Sequence, residues 1–232
     1  MAKKSVKQYS FSDTRTYEYI REVELIFISK LMGQKNRILS LPHNGEWHNA
    51  FNSLSAFSAT GGNRDLDVSI SFELGDPLEG HRLHLGTSLR RGGSNSSNPA
   101  TATYSLTIIE GGCRAKSRMH FDHDFDSNGR EQKPSPHIQC GGRLPSELSF
   151  QKDWDESLDK PRVLSLPYST AILWHNAFLE FPDVEEFKSF LDDSWWKNIV
   201  IDAEERMWAC FVEQARQSIC RKESIIEILY GI

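Results

Sequence analysis

Between residues 65 and 141 the sequence runs in five short stretches rich in alternating or β-branched residues, 65–74, 82–89, 101–109, 118–126 and 137–141, separated by clusters of Gly, Asn, Ser and Pro. Runs of this length with turn residues between them predict strands joined by short connections, hence a central antiparallel sheet of about five strands. Helical spacing takes over on both sides. Tyr19, Ile20, Val23, Phe27 and Leu31 predict a helix over 13–32, capped by Ser12 or Asp13 and stopped at Gly33. A second helix follows Asn44, with Trp47, Phe51, Leu54 and Phe57 or Ala56 on one face and Gly61-Gly62 at its end. After Pro161 come helices over 169–181, 183–191 and from Asp193 or Ser194 towards Ile232, the last striped by Trp208, Phe211 or Val212, Ala215 and Ile219. A sheet flanked by N-terminal and C-terminal helices is an α+β fold. We expect one domain over 1–232, helical in 1–62, sheet in 63–150 and helical again in 151–232, with 90–99 a connector inside the sheet.

A chain of 232 residues, 38% of them hydrophobic and 25% charged, can bury a core without metal or disulfide staples. Its net charge of −5 gives no general attraction for nucleic acid. The basic start, residues 1–7, is followed by no apolar run of signal-peptide length, and no stretch of about 20 apolar residues is present to span a bilayer. These features predict a cytosolic protein without a membrane partner. Cys113, Cys140, Cys210 and Cys220 have no zinc-site spacing and predict reduced, mostly buried thiols.

The chain also echoes itself. Arg37-Ile-Leu-Ser-Leu-Pro42 followed by Trp47-His-Asn-Ala-Phe51 returns as Arg162-Val-Leu-Ser-Leu-Pro167 followed by Trp174-His-Asn-Ala-Phe178. Each copy predicts an extended Leu-Ser-Leu segment ending at proline, then a helix presenting Trp and Phe four residues apart. Two equivalent packing units are the simplest outcome; a pseudo-two-fold pocket where His48 and His175 meet is the sharper one.

The stretch Arg118-Met-His-Phe-Asp-His-Asp-Phe-Asp126, then Asn128-Gly129, then His137-Ile-Gln-Cys140 predicts a hairpin. Alternation puts His120, Asp122 and Asp124 on one side, joined by His137 and Gln139 from the returning strand. A two-residue Asn-Gly turn sets His120 opposite His137 and Met119 opposite Ile138; a longer loop over 127–135 is the alternative. Such a face ordinarily lies in solvent. Gathered, His120, Asp122, Asp124 and His137 are the candidate catalytic group, and His120, Asp122 and His137 the candidate ligands of a divalent metal that would activate water. His123, between Phe121 and Phe125, reads instead as a core histidine with one satisfied nitrogen. Asp124-x-Asp126-x-Asn128-Gly129 opens like a calcium loop, but Ser135 stands where a bidentate glutamate is needed. Arg90, Arg91, Arg114 and Lys116 are candidates for a modest anion site beside glycine-rich turns.

No phosphate-cradling Gly-x-x-x-x-Gly-Lys-Ser/Thr, no Gly-x-Ser-x-Gly elbow and no His-Glu-x-x-His is present. Cys140 and His137 fall on opposite strand faces, which disfavours a thiol nucleophile. At the hairpin, His120-Phe-Asp122 followed by Pro134-x-Pro136-His-Ile-Gln139 resembles small bacterial proteins encoded in toxin–antitoxin and phage-defence operons. That resemblance implies a bacterial stress or defence setting and assigns no catalytic residue. Two functions follow: an interaction subunit binding a partner protein through its sheet and tryptophan-rich C-terminal helix, or a metal-dependent hydrolase or nuclease built on the histidine and aspartate cluster.

Overall fold

The computed structural model describes residues 14–41, 45–92, 100–124, 137–142, 144, 151–154, 163–164 and 166–221. Helix α1 is Thr14–Met32, α2 a single turn at Lys35–Ile38, and α3 Gly45–Ala59. The sheet strands are β1 Leu66–Glu73, β2 His81–Arg90, β3 Thr101–Glu110, β4 Arg114–Asp124 and β5 His137–Cys140, with two-residue pieces β6 Gln151–Lys152 and β7 Val163–Leu164. Helices α4 Thr170–Glu180, α5 Glu185–Leu191 and α6 Ser194–Arg221 complete the chain. Among the described residues, no helix is long and apolar enough to cross a membrane.

The architecture is α+β as the alternation predicts. Strands run in the order β1-β2-β3-β4-β5-β7 with antiparallel neighbours, and β6 pairs in parallel with the start of β4. Both short strands fall in the 151–232 segment expected to be helical. Two residues are too few to show alternation, and β7 exists because the edge of β5 offers unpaired backbone groups: Ile138 pairs with Val163 and His137 with Leu164.

One face of the sheet is apolar. Leu66, Val68, Ile70 and Phe72 register against Leu89, Thr87, Leu85 and Leu83, and Tyr104 and Phe121 continue that face across β3 and β4. Helix α3 covers β1, and α4 covers β2 and β3. Trp47, Trp174, Trp196, Phe27, Phe51, Phe178, Phe187 and Phe190 are fully buried between them. Helix α4 begins at Ser169, whose hydroxyl accepts from Ile172 N at 3.3 Å. Beside it Glu24 of α1, wholly buried, accepts from Thr170 N at 2.8 Å and Tyr104 Oη at 3.0 Å. One carboxylate therefore ties α1, β3 and α4 together, and burial pushes its proton affinity up despite those hydrogen bonds.

The tryptophans of α6 turn inward. Trp196 is buried, Trp195 is half-buried against Phe190, and Trp208 donates to Pro167 O at 3.0 Å. The buried stripe in the described part of α6 is Trp196, Ile199, Val200, Ala203 and Met207; of the predicted stripe Trp208 is half-buried and Val212 exposed, while the side chains of Phe211, Ala215 and Ile219 lie outside the described residues. The described part of that helix presents no exposed tryptophan strip.

The echo resolves into two different backbones. In the second copy Val163–Leu164 is a strand, as expected, but in the first the corresponding stretch is α2 and the turn after it. Sheet pairing is available only to the second copy, so identical local preference gives extended chain in one place and helix in the other. The helices of the echo do match, and Trp47 meets Trp174 in the core.

Candidate functional site

The other face of the sheet is built from polar residues in register. Reading across the strands, Ser71, His84, Thr107 and Arg118 form one lane; Ser69, Gly86, Ser105, His120 and Gln139 a second; and Asp67, Ser88, Thr103, Asp122 and His137 a third. The alternation that buries leucines against α3 and α4 places these side chains together on the side facing away from the helices.

The hairpin register differs from the two-residue-turn expectation. His137 pairs with Asp122 and Gln139 with His120, so His120 and His137 are diagonal neighbours instead of opposite ones. Any odd register sum conserves the faces, which is why the grouping survives and the pairing does not. His120, Asp122 and His137 do come together. Asp122 Oδ2 lies 3.0 Å from His120 Nε2 and 3.6 Å from His137 Nε2, while the Thr103 hydroxyl across the strand also bonds the carboxylate. The Asp124 side chain and the calcium-like segment that follows lie outside the described residues, as does most of the 90–99 connector.

This cluster is not the solvated face that a half-exposed strand suggests. His120, His137 and Gln139 are buried, His137 to 1% exposure. The chain leaving β5 turns back over them: Gly141 N donates to Arg118 O at 2.7 Å, and Gly141 O stands 3.2 Å from His120 Nδ1. Gly142, at φ 82°, lies so close that a Cβ there would stand 2.5 Å from His120 Cε1. Only glycine fits both the backbone angle and the contact. A carbonyl only accepts, so His120 Nδ1 donates to it, and Nε2 faces the Asp122 carboxylate. Burial alone would raise the Asp122 carboxyl, but the hydrogen bond and charge of His120, reinforced by Thr103 and His137, outweigh it and hold the group below the ordinary carboxylate value.

Among the described residues no three His, Cys, Asp or Glu side chains are placed to hold a metal ion. Compared with known proteins, the chain matches no family model, none of the curated proteins and no solved structure. The site is therefore read from its own geometry.

On the apolar face His123 behaves as expected of a core histidine. Its Nε2 accepts from Tyr168 N at 3.3 Å, its ring stands edge-on to Tyr104, and burial pushes its proton affinity down to about 3. Tyr168 also stacks on Phe121 at 3.6 Å, which seats the start of α4 on β4. His48 is exposed and His175 Nδ1 accepts from Trp196 Nε1 at 3.3 Å; the contact the echo makes is between its tryptophans. Cys113, Cys140 and Cys220 are free as expected but exposed, a correction to the buried thiols that reduced cysteines usually are.

The four candidate anion-binding cations separate to opposite ends of the sheet. Arg114 and Lys116 both bond Asp153, and Lys116 also reaches Glu110 at 3.1 Å. Arg91 faces Glu18 at 3.9 Å, and Arg90 faces Asp67 at 4.0 Å. Of the four, only Arg90 borders a groove of about 320 Å³ on the polar face, whose lining includes Asp67, Ser69, His84, Gly86, Ser105 and Arg118. Thr103 joins the two: its hydroxyl serves Asp122 while the residue walls the groove. The sequence does carry one signal for this hollow, a glycine inside an otherwise alternating strand.

Proposed function

We propose that this chain is a cytoplasmic binding subunit that works through the polar face of its sheet, holding a polar small ligand in the groove over Gly86. The observation that carries the reading is a concave polar surface on rigid strands, opposite a fully packed helical layer, with a buried imidazole and a buried guanidinium in its wall. The His120–Asp122–His137 cluster lies beside the groove on the same face and is joined to it through Thr103. A partner protein that docked on the chain would use this same face, since the tryptophans of α6 are committed to the core. The bacterial stress or phage-defence setting comes from the hairpin residues that resemble proteins of those operons. A metal-dependent hydrolase or nuclease draws less support, because the described side chains offer no three-ligand group and both nitrogens of His120 face oxygen acceptors.

The test is the mass of the protein purified natively from its host. A small-molecule adduct on the wild type that is absent from a folded Ser88→Phe variant, whose ring would fill the groove, supports the reading. A bare wild-type mass, or an adduct that survives in the filled variant, overturns it.

A further inference from the structure

Resting on that reading, we propose that the groove over Gly86 is an oxyanion site that takes the phosphate of a small phosphomonoester. Gly86 lies mid-strand in β2, flanked across the sheet by Ser69 and Ser105. A Cβ placed on it would stand 2.8 Å from Ser105 Oγ and 3.9 Å from His84 Nε2. Any side chain at this position would collide with the Ser105 hydroxyl, so the glycine lets that hydroxyl lie close to the strand with His84 Nε2 beside it.

His84 shows that the space calls for a ligand. The residue is 5% exposed, its Nδ1 lies 3.0 Å from Ser71 Oγ, and its Nε2 has no hydrogen-bond partner among the described residues. Buried polar atoms are rarely left this way, because desolvation without a replacement bond is unfavourable. Ser71 Oγ and His84 Nδ1 share one hydrogen bond whose direction follows the tautomer; in the tautomer where the hydroxyl donates, Nε2 carries the proton and is a donor toward the groove.

The charge of the lining selects an anion. Among the described residues two guanidiniums, Arg90 and Arg118, and one carboxylate, Asp67, border the groove, with Asp67 facing Arg90. The same positive surroundings act on His84: burial first, then Arg82 and Arg118, push its proton affinity down to about 4. Guanidinium, imidazole N–H and the hydroxyls of Ser69, Ser88 and Ser105 form a donor-rich bowl. A phosphate, with three terminal oxygens, can use more of these donors than a carboxylate with two. A volume of about 320 Å³ is at the lower end for small-molecule sites, which suits a phosphate with a small organic group and excludes a long polymer.

The experiment follows the ring nitrogens of His84 by NMR in the full chain while inorganic phosphate, adenosine monophosphate or acetate is added. Phosphate and the monophosphate should each saturate a shift at Nε2, with acetate weaker by about tenfold or more. Arg118→Gln should weaken phosphate by about tenfold or more. Since Arg118 is buried and its variant can fail to fold, Arg90→Gln and Ser105→Ala carry the same direction of change. No saturable shift, an equal response to acetate, or unchanged phosphate affinity in every folded variant overturns the proposal. An unphosphorylated adduct on the natively purified protein overturns the phosphomonoester alone and leaves groove binding standing.

Discussion

Trp47 and Trp174, the equivalent tryptophans of the two echoed segments, meet edge to face with ring centroids 5.4 Å apart. Each is almost completely buried, and Trp47 also stacks on Phe190 at 5.3 Å while Trp174 meets Phe27 at 5.8 Å. The echo thus brings its own two copies together at the centre of the helical layer, although their upstream segments fold differently. Replacing either indole by alanine should lower stability by about 3–5 kcal/mol. Because the rings touch, the double variant should lose less than the sum of the two, by about 1 kcal/mol. Urea unfolding of the four proteins checks both numbers, and strict additivity would show that the pair does not act as a unit.

Glu24 provides a second test of the core. Burial raises its proton affinity, so the folded chain holds that proton at pH values where the unfolded chain has released it. Stability from this group is full below the unfolded value, near 4.5, and declines as pH rises toward the folded value. Glu24→Gln keeps an oxygen to accept from Thr170 and Tyr104 but cannot ionise. The variant should equal the wild type near pH 4.5 and become the more stable of the two as pH rises to neutral. Unfolding curves at both pH values measure this; a gap that does not widen with pH would mean that Glu24 is not held as a neutral acid.

What could be read in the sequence differs between the faces of the sheet. All five long strands are legible because alternation over eight or more residues, or between clear turn residues, survives any tertiary detail. The strand at Gln151–Lys152 is not, and Val163–Leu164 is legible only as the extended start of the echoed segment, since both join the sheet only where a neighbouring edge recruits them. His120, Asp122 and His137 were legible as a group from parity alone. Their pairing was not, because loop length and not side-chain pattern sets the register. Nor was their burial, which depends on Gly141 and Gly142 folding back over the strand. His84 gave no signal of its own in an alternating strand, and only Gly86 beside it marked the position as unusual.

Asp122 is shared by two buried imidazoles, so its loss should be felt as lost structure. Asp122→Asn replaces the carboxylate that His120 and His137 share with an amide and should destabilise the chain by about 1–3 kcal/mol, the range for a buried polar group that loses its partner. If the cluster is held by hydrogen bonds and not by a cation, a chelator should leave the wild-type melting temperature unchanged and elemental analysis should find no stoichiometric metal. A chelator-induced drop that zinc or manganese reverses would return the cluster to the metal reading.

Acid should unfold this protein earlier than its carboxylates alone require. His123 and His84 are held neutral, chiefly by burial, with proton affinities pushed down to about 3 and about 4. In the unfolded chain both take up protons near 6.5, so between that value and the folded ones the unfolded state binds more protons. Their contribution is complete above about pH 6.5 and is lost as pH falls, by about 2 kcal/mol for each histidine at pH 5. Asp122 acts in the same direction at lower pH: its folded value is depressed, so its contribution is present above the unfolded value near 3.8 and disappears below it. Glu24 works against both but only over the range above 4.5. His123→Gln keeps an acceptor for Tyr168 N without a titrating ring, and should flatten the fall in stability between pH 6.5 and 5 by about half. Urea midpoints measured at half-unit steps decide it, and an unchanged slope in both His123→Gln and His84→Gln would mean that neither imidazole is held neutral in the fold.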